Sequence, residues 1–198
     1  MSFLNFLEAR LSNNNLIVVD IQPLYENYIK FSLIEYVEYL YKVIKSGHRV
    51  LYYYNGDSIG SEDDSSSIVS WLVSFLGYID DGLDVDEYYF TILHGCEFID
   101  KGYGFLRDLM DSGYSESEII KIVRYMVMNR IVDSRDIPDG IFDIGSNNIF
   151  LPSFSIAKLK EYSGSYLIGG GMNECLKEVQ LIANALNIRV TLMKKFIF

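Results

Sequence analysis

Two residues stand out for the chemistry they could do together, the carboxylate Asp20 and the thiol Cys175. Each follows a short apolar run that reads as a buried strand. Leu16–Val19 leads into Asp20, and Tyr166–Ile168 leads through Gly169, Gly170 and Gly171 towards Cys175. A carboxylate beside a thiol can take its proton, and the thiolate is the nucleophile. Cys175 also opens a helical pattern, where the partial positive charge of a helix N-terminus favours a thiolate and the free amides could hold an oxyanion. Gly171, Met172, Asn173 and Glu174 lie between the strand and the thiol and are candidate substrate contacts. Asn55, after the apolar run Val50–Tyr54, is another. Each feature also has a plainer reading. A free Cys on an apolar helix face is often a small core residue. An Asp after a strand often caps a turn, and Pro23 supports a turn here. The three glycines could cradle a phosphate, but the spaced glycines of a nucleotide-binding loop are absent.

These residues need a scaffold that brings strand ends together. The three apolar runs, and a fourth at Arg189–Met193, are rich in β-branched and aromatic residues and do not alternate with polar ones. Such runs suit parallel strands buried on both faces. Helical patterns separate them. Leu33, Ile34, Val37, Leu40, Tyr41 and Ile44 recur on one helical face behind a Ser32/Glu35 capping pattern, and Gly47 stops that helix. Ser115 and Glu118 open another helix. Cys175, Leu176, Val179, Ile182, Ala183 and Leu186 share one face of a third, and Ile68–Leu76 forms a fourth behind the polar stretch 61–67. Strand and helix alternation predicts an α/β fold of three layers, α/β/α, with a mainly parallel sheet and right-handed crossovers. In such a sheet ligands bind outside the carboxyl ends of the strands, where Asp20, Asn55 and the glycine turn fall.

Composition narrows the function classes. The chain has 198 residues, enough for one domain with a sizeable core. It carries 17 Lys and Arg against 27 Asp and Glu, a net charge of −10, which argues against a duplex nucleic acid as partner. Cys96 and Cys175 are the two cysteines and make neither a disulfide framework nor a metal-ligand pair. No signal peptide or membrane-spanning run is evident, so a reduced cytoplasmic protein without membrane attachment is expected. His48 and His94 suggest no metal site, and neither a metal nor a cofactor is expected. Tyr36, Tyr39, Tyr41 and Trp71 read as packing residues rather than a base-stacking surface.

The stretch Leu16-Ile-Val-Val-Asp20-Ile-Gln22-Pro-Leu-Tyr25 resembles the opening strand of the isochorismatase-like cysteine hydrolases, a superfamily that includes the nicotinamidases. The resemblance continues near the other end. Gly169 and Cys175 keep the family's spacing between a strand-ending Gly and the nucleophile. Ala183, Asn187 and Val190 fall in its following Ala, Gly and Val positions, and Phe154–Leu159 is similar to its F-x-x-T-x-L segment with Ala157 in the Thr slot. The resemblance covers about the first 55 and the last 45 residues. It implies that Cys175 is the nucleophile, Asp20 the general base, and backbone amides before Cys175 the oxyanion hole. It implies a small amide or vinyl ether as substrate, with Gln22 and Tyr25 near it, and a homo-oligomer as the assembly. The family's catalytic Lys slot falls on Asn148, which is a candidate substrate contact instead, and the one Lys in a comparable context is Lys101, which could reach the site if its segment supplies a strand end. The Asp/His metal cluster of nicotinamidases has no counterpart in Asn55-Gly-Asp-Ser-Ile-Gly60.

Residues 80–150 are not explained by the resemblance and read as a divergent insert within a single domain spanning 1–198. Their mixtures of Gly, aromatic and charged residues suit either ordered functional loops or helices packed on the sheet or on a second subunit. Two functions stay open. One is a cysteine hydrolase using Cys175 and Asp20 with Lys101 as third member. The other is an inactive relative serving as a binding or assembly subunit, which the Asn148 in the Lys slot favours.

Overall fold

Five parallel strands form one sheet in the order β3-β2-β1-β4-β5 in the computed structural model, which describes residues 14–56, 64–77, 82–101, 105–144, 149–151 and 153–198. The strands are β1 (Leu16–Val19), β2 (Val50–Tyr54), β3 (Cys96–Asp100), β4 (Ser165–Gly169) and β5 (Val190–Leu192). Between them lie α1 (Leu33–Lys45), α2 (Ser65–Ser74), α3 (Val85–Gly95), α4 (Arg107–Asp111), α5 (Glu116–Met128), α6 (Ser153–Glu161) and, after β4, α7 (Cys175–Ala185). The fold is the expected three-layer α/β/α sandwich.

Burial on both faces explains the unbroken apolar strands. Alternate residues of one strand go to opposite layers. Leu16, Val18, Val50, Tyr52 and Ile168 pack with α1, α2 and α3 through Val37, Leu40, Ile68, Leu72 and Ile92. Ile17, Val19, Leu51, Tyr53 and Leu167 pack with α4 to α7 through Leu109, Ile122, Leu159 and Leu181. Helix starts follow the sequence signals. Ser32 accepts a hydrogen bond from the Glu35 amide, and Ser115 and Glu118 form a complete capping box. The helix expected at Ile68–Leu76 begins earlier, at Ser65, because Asp64 and Ser67 cap each other's backbone. Tyr36 is fully buried, and Phe196 packs edge-on against it, so the apolar tail joins the core beside α1. Among the described residues no helix is long and apolar enough to cross a membrane.

Two features of the sheet position the site. The chain builds β1, β2 and β3 outwards in one direction and then returns to place β4 on the other side of β1. The strand order therefore reverses between β1 and β4, the point where open α/β sheets form a crevice at their carboxyl ends. The second feature is β3, which the apolar-run reading did not anticipate. It starts directly where α3 ends, pairs with β2 from Val50↔Cys96 to Tyr54↔Asp100, and forms the sheet edge. Residues 85–128 thus supply one strand and helices to both outer layers.

Candidate active site

Asp20 is the first residue after β1 and takes a left-handed backbone conformation, φ 54°. Few non-glycine residues accept this, and Asp is among those that do. Its amide still donates to the Tyr53 carbonyl at 3.0 Å, so the strand pairing holds while the side chain turns into the crevice. Backbone strain of this kind concentrates at functional sites. Across the switch point, Gly169 ends β4 with φ 83°, and a Cβ there would meet the Val19 carbonyl oxygen at 2.0 Å. Gly170 is also left-handed, and a Cβ on it would lie 2.9 Å from the Leu176 amide nitrogen. These two glycines let α7 start against the end of β1, which puts Cys175 beside Asp20.

Lys101 arrives from the other side. It follows β3, and its amide donates to the Tyr54 carbonyl at 2.9 Å. β3 is two strands from β1, roughly 10 Å at the usual strand spacing. The four-carbon stem of lysine crosses the end of β2, and Nζ lies 3.1 Å from Asp20 Oδ2, with both side chains only 1% exposed. The approach brings the charges together without the alignment of a full hydrogen bond, and neither Asp20 oxygen has an aligned donor among the described residues. The Cys175 thiol, whose proton can rotate, lies within hydrogen-bonding reach of the same carboxylate. The three residues line one cavity of about 410 Å³ with Tyr25, Tyr28 and Phe198 on an aromatic side. Gly170, Gly171, Glu174, Lys30 and Arg107 complete the wall with Glu178.

The electrostatics follow from burial. Burial pushes the Asp20 carboxyl up from its ordinary value, opposed by the positive charge of Lys101. Burial alone would lower Lys101, but the charges of Asp20, then Cys175 and Glu178, more than offset it and hold the ammonium protonated. Burial and then the adjacent Asp20 push the Cys175 thiol up, with Lys101 opposing. Burial and Asp20 thus act against the helix N-terminus at Cys175, which favours the thiolate. Asp20 lies within reach of the thiol proton.

The remaining sequence candidates separate into two groups. Tyr25, Gly171 and Glu174 line the cavity. Gln22 and Asn55 are buried and bind each other, Gln22 Nε2 donating to the Asn55 carbonyl and the Asn55 amide to Gln22 Oε1, both at 2.9 Å. That exchange ties the ends of β1 and β2 together, and Asn55 Nδ2 donates to the Tyr25 hydroxyl at 3.3 Å, which holds that ring at the mouth. Met172 and Asn173 are exposed on the turn before α7 and are not among the residues described along the cavity wall. Asn148 lies outside the described residues. Among the described residues no group of three or more His, Cys, Asp or Glu could hold a metal ion.

Tyr28, Lys30, Arg107, Glu178 and Phe198 line the cavity without having been singled out as site residues in the sequence, and of these Glu178 is the buried one. It is 1% exposed, one helical turn beyond Cys175 on the same side of α7. Its Oε1 accepts the Leu106 amide at 2.7 Å, fastening the segment before α4 to the helix that carries the thiol. The available signal was its spacing, since an acid three residues after Cys175 must share that residue's face. No family model, curated protein or solved structure matches this chain.

Proposed function

We propose that the protein is a cysteine hydrolase of the isochorismatase-like type that cleaves a small amide through Cys175, Asp20 and Lys101. The observation that carries this reading is the Lys101–Asp20 ion pair, 3.1 Å long and buried beneath the Cys175 thiol in one cavity. An ion pair buried this deeply has a large desolvation cost, and a chain that needed only packing would be served as well by apolar residues. The lysine supplies the cation whose absence from the Asn148 position favoured an inactive binding subunit.

In this mechanism the thiol proton passes to Asp20 as sulfur bonds to the substrate's carbonyl carbon. The carbonyl electron pair moves to oxygen, and the first amides of α7 lie near enough to its N-terminus to stabilise that charge. Before attack the Cys175–Asp20 pair carries one negative charge that Lys101 neutralises, and as the S–C bond forms that charge moves to the carbonyl oxygen, leaving Asp20 protonated. The tetrahedral adduct collapses with cleavage of the C–N bond, and Asp20 returns the proton to the departing nitrogen. Water then attacks the thioester, Asp20 takes its proton, and the acid product leaves with the thiol restored. The aromatic side made by Tyr25, Tyr28 and Phe198 suits a planar substrate. The expected partners are that small molecule and a second copy of the chain.

The test is the pH profile of Cys175 alkylation in the folded protein, followed by release of ammonia from a panel of small amides. Because Asp20 and burial hold the thiol up, wild-type alkylation should rise only above the usual thiol range near pH ~8.5. Asp20→Asn should move that rise to lower pH, and Lys101→Met should move it higher. Both single variants and Cys175→Ala should lose amide hydrolysis by about a thousandfold or more. A Cys175 that reacts only on unfolding, or a profile indifferent to Asp20 and Lys101, removes the hydrolase reading.

A further inference from the structure

Glu178 has one oxygen engaged and one with no hydrogen-bond partner among the described residues. Oε1 is held by the Leu106 amide, while Oε2 is buried without a hydrogen-bond donor among the described residues. The carboxyl belongs to the wall of the cavity that holds Cys175. Lys101 influences it electrostatically but forms no ion pair with it within 4 Å among the described residues, since its close partner is Asp20. A buried carboxyl oxygen without a donor is costly, and the simplest compensation is a donor brought by whatever fills the cavity.

We propose that Glu178 is a specificity-determining residue whose free Oε2 accepts an N–H from the substrate, so that the site selects amides and ureido compounds over carboxylates. This rests on the hydrolase reading of the same cavity. The geometry suits the role. Glu178 and Cys175 stand on successive turns of α7, so a carbonyl carbon at the sulfur places its amide nitrogen, or the next one along, towards the carboxyl. Anchoring of Oε1 fixes the direction of Oε2 before the substrate arrives, which lowers the ordering cost of binding. A substrate carboxylate in the same place would face an acceptor with no donor to offer.

Burial pushes Glu178 up to about 6, opposed first by Lys101 and then by the Leu106 amide. The groups that face it are Lys101 from the end of β3, Asp20 from the end of β1, Cys175 on its own helix, and the Leu106 and Arg107 amides, both of which hydrogen-bond the carboxyl, while the side chains of Lys30, Arg107 and Glu174 stand on the same cavity wall. Selection against carboxylates should therefore strengthen as pH rises through this range and Glu178 ionises.

Two alkylating reagents of equal size measure this without knowledge of the natural substrate. Iodoacetamide carries N–H donors and iodoacetate carries a carboxylate. Mass-spectrometric mapping of full-length protein gives the Cys175 rate for each, kept apart from Cys96 and divided by the ratio for a free thiol. Wild-type protein should prefer iodoacetamide by about tenfold at about pH 8, with the preference shrinking below about pH 6. In Glu178→Gln, whose amide can still accept from Leu106, the preference should fall to about twofold and lose its pH dependence. If the variant does not fold, the wild-type pH profile decides alone. A preference that is flat with pH in wild type, or unchanged in folded Glu178→Gln, overturns the assignment while leaving the hydrolase intact. A Cys175 that neither reagent reaches in the folded protein, even at about pH 10 where its thiolate forms, overturns both.

Discussion

Charge gathers at both ends of the sheet, and the two clusters are built on opposite terms. At the amino end, Arg49 pairs with Glu161 at 2.8 Å and Lys158 with Glu97 at 2.6 Å, all with side chains between about a quarter and a half exposed. At the carboxyl end, Asp20 and Lys101 are paired with almost no exposure, and Glu178 lies beside them. The exposed cluster keeps its hydration and its screening, so each pair adds little and costs little. The buried cluster gives up hydration at a cost of several kcal/mol per ion, which only close pairing returns. A fold needs nothing like the second cluster for its own stability. Its presence at the switch point, against a cavity and a thiol, is what the proposed hydrolase site rests on.

The largest effect is expected from removing one partner at the buried end. Lys101→Ala leaves the Asp20 carboxylate buried without its cation and should destabilise the protein by about 3–5 kcal/mol. Changing both partners together, in an Asp20→Asn/Lys101→Met double variant, should restore most of that loss, since neither charge then needs compensation. Urea unfolding of wild type, the single variants Asp20→Asn and Lys101→Met, and the double variant measures the coupling. Additive single effects would mean that the two charges do not stabilise each other, and the distinction between the ends of the sheet would fall.

A smaller effect is expected from the titration of Glu178. A Glu side chain has an ordinary value of 4.5, and Glu178 is raised to about 6 in the folded protein. Between these values the folded state binds more protons than the unfolded one, so stability falls as pH rises. A shift of this size corresponds to a stability loss of about 2 kcal/mol. That loss is absent below pH 4.5, grows through the interval and is complete above about 6. Glu178→Gln should therefore flatten the fall in stability across this interval by about that amount. Thermal or urea unfolding across the same range checks the sign as well as the size, and a variant curve parallel to wild type would mean that Glu178 ionises freely.

How much of this was legible in the sequence follows from what each element buries. β1 and β2 are buried on both faces, so their apolar runs gave the same bounds that the structure has. β3 is an edge strand whose residues Cys96, Glu97 and Phe98 are only partly buried and whose sequence carries two acids. It also follows α3 without an intervening turn, which removed the usual boundary signal. Lys101 could therefore be named only conditionally, since its place depends on a strand the pattern hides. Asp20 and Cys175 were readable because strand ends and glycine turns are local features. Gln22 and Asn55 were readable as strand-end polar residues, but their mutual hydrogen bonds arise from pairing residues 33 apart and needed the register of β1 with β2. Glu178 was obscured because it follows Lys177, and a charged pair on a helix reads as a solvated face.

The smallest expected effect lies at the amino end and tests the other half of the comparison. Arg49 joins more of that cluster than its neighbours do, since its guanidinium pairs with Glu161 and Glu97 and lies 4.7 Å from the centre of the Tyr162 ring. Arg49→Ala removes all three together. The carboxylates left behind are hydrated, and Lys158 still lies between Glu97 and Glu161. The melting temperature should therefore drop by no more than about 2–4 °C at low ionic strength, and by less in about 0.5 M salt. Arg49→Lys should recover the salt-dependent part but not the remainder, because an ammonium keeps the charge and loses the planar contact with the Tyr162 ring. A loss as large as that of Lys101→Ala, or one that salt does not reduce, would show that exposure does not set the strength of these pairs. The buried cluster would then have no special claim to function on energetic grounds.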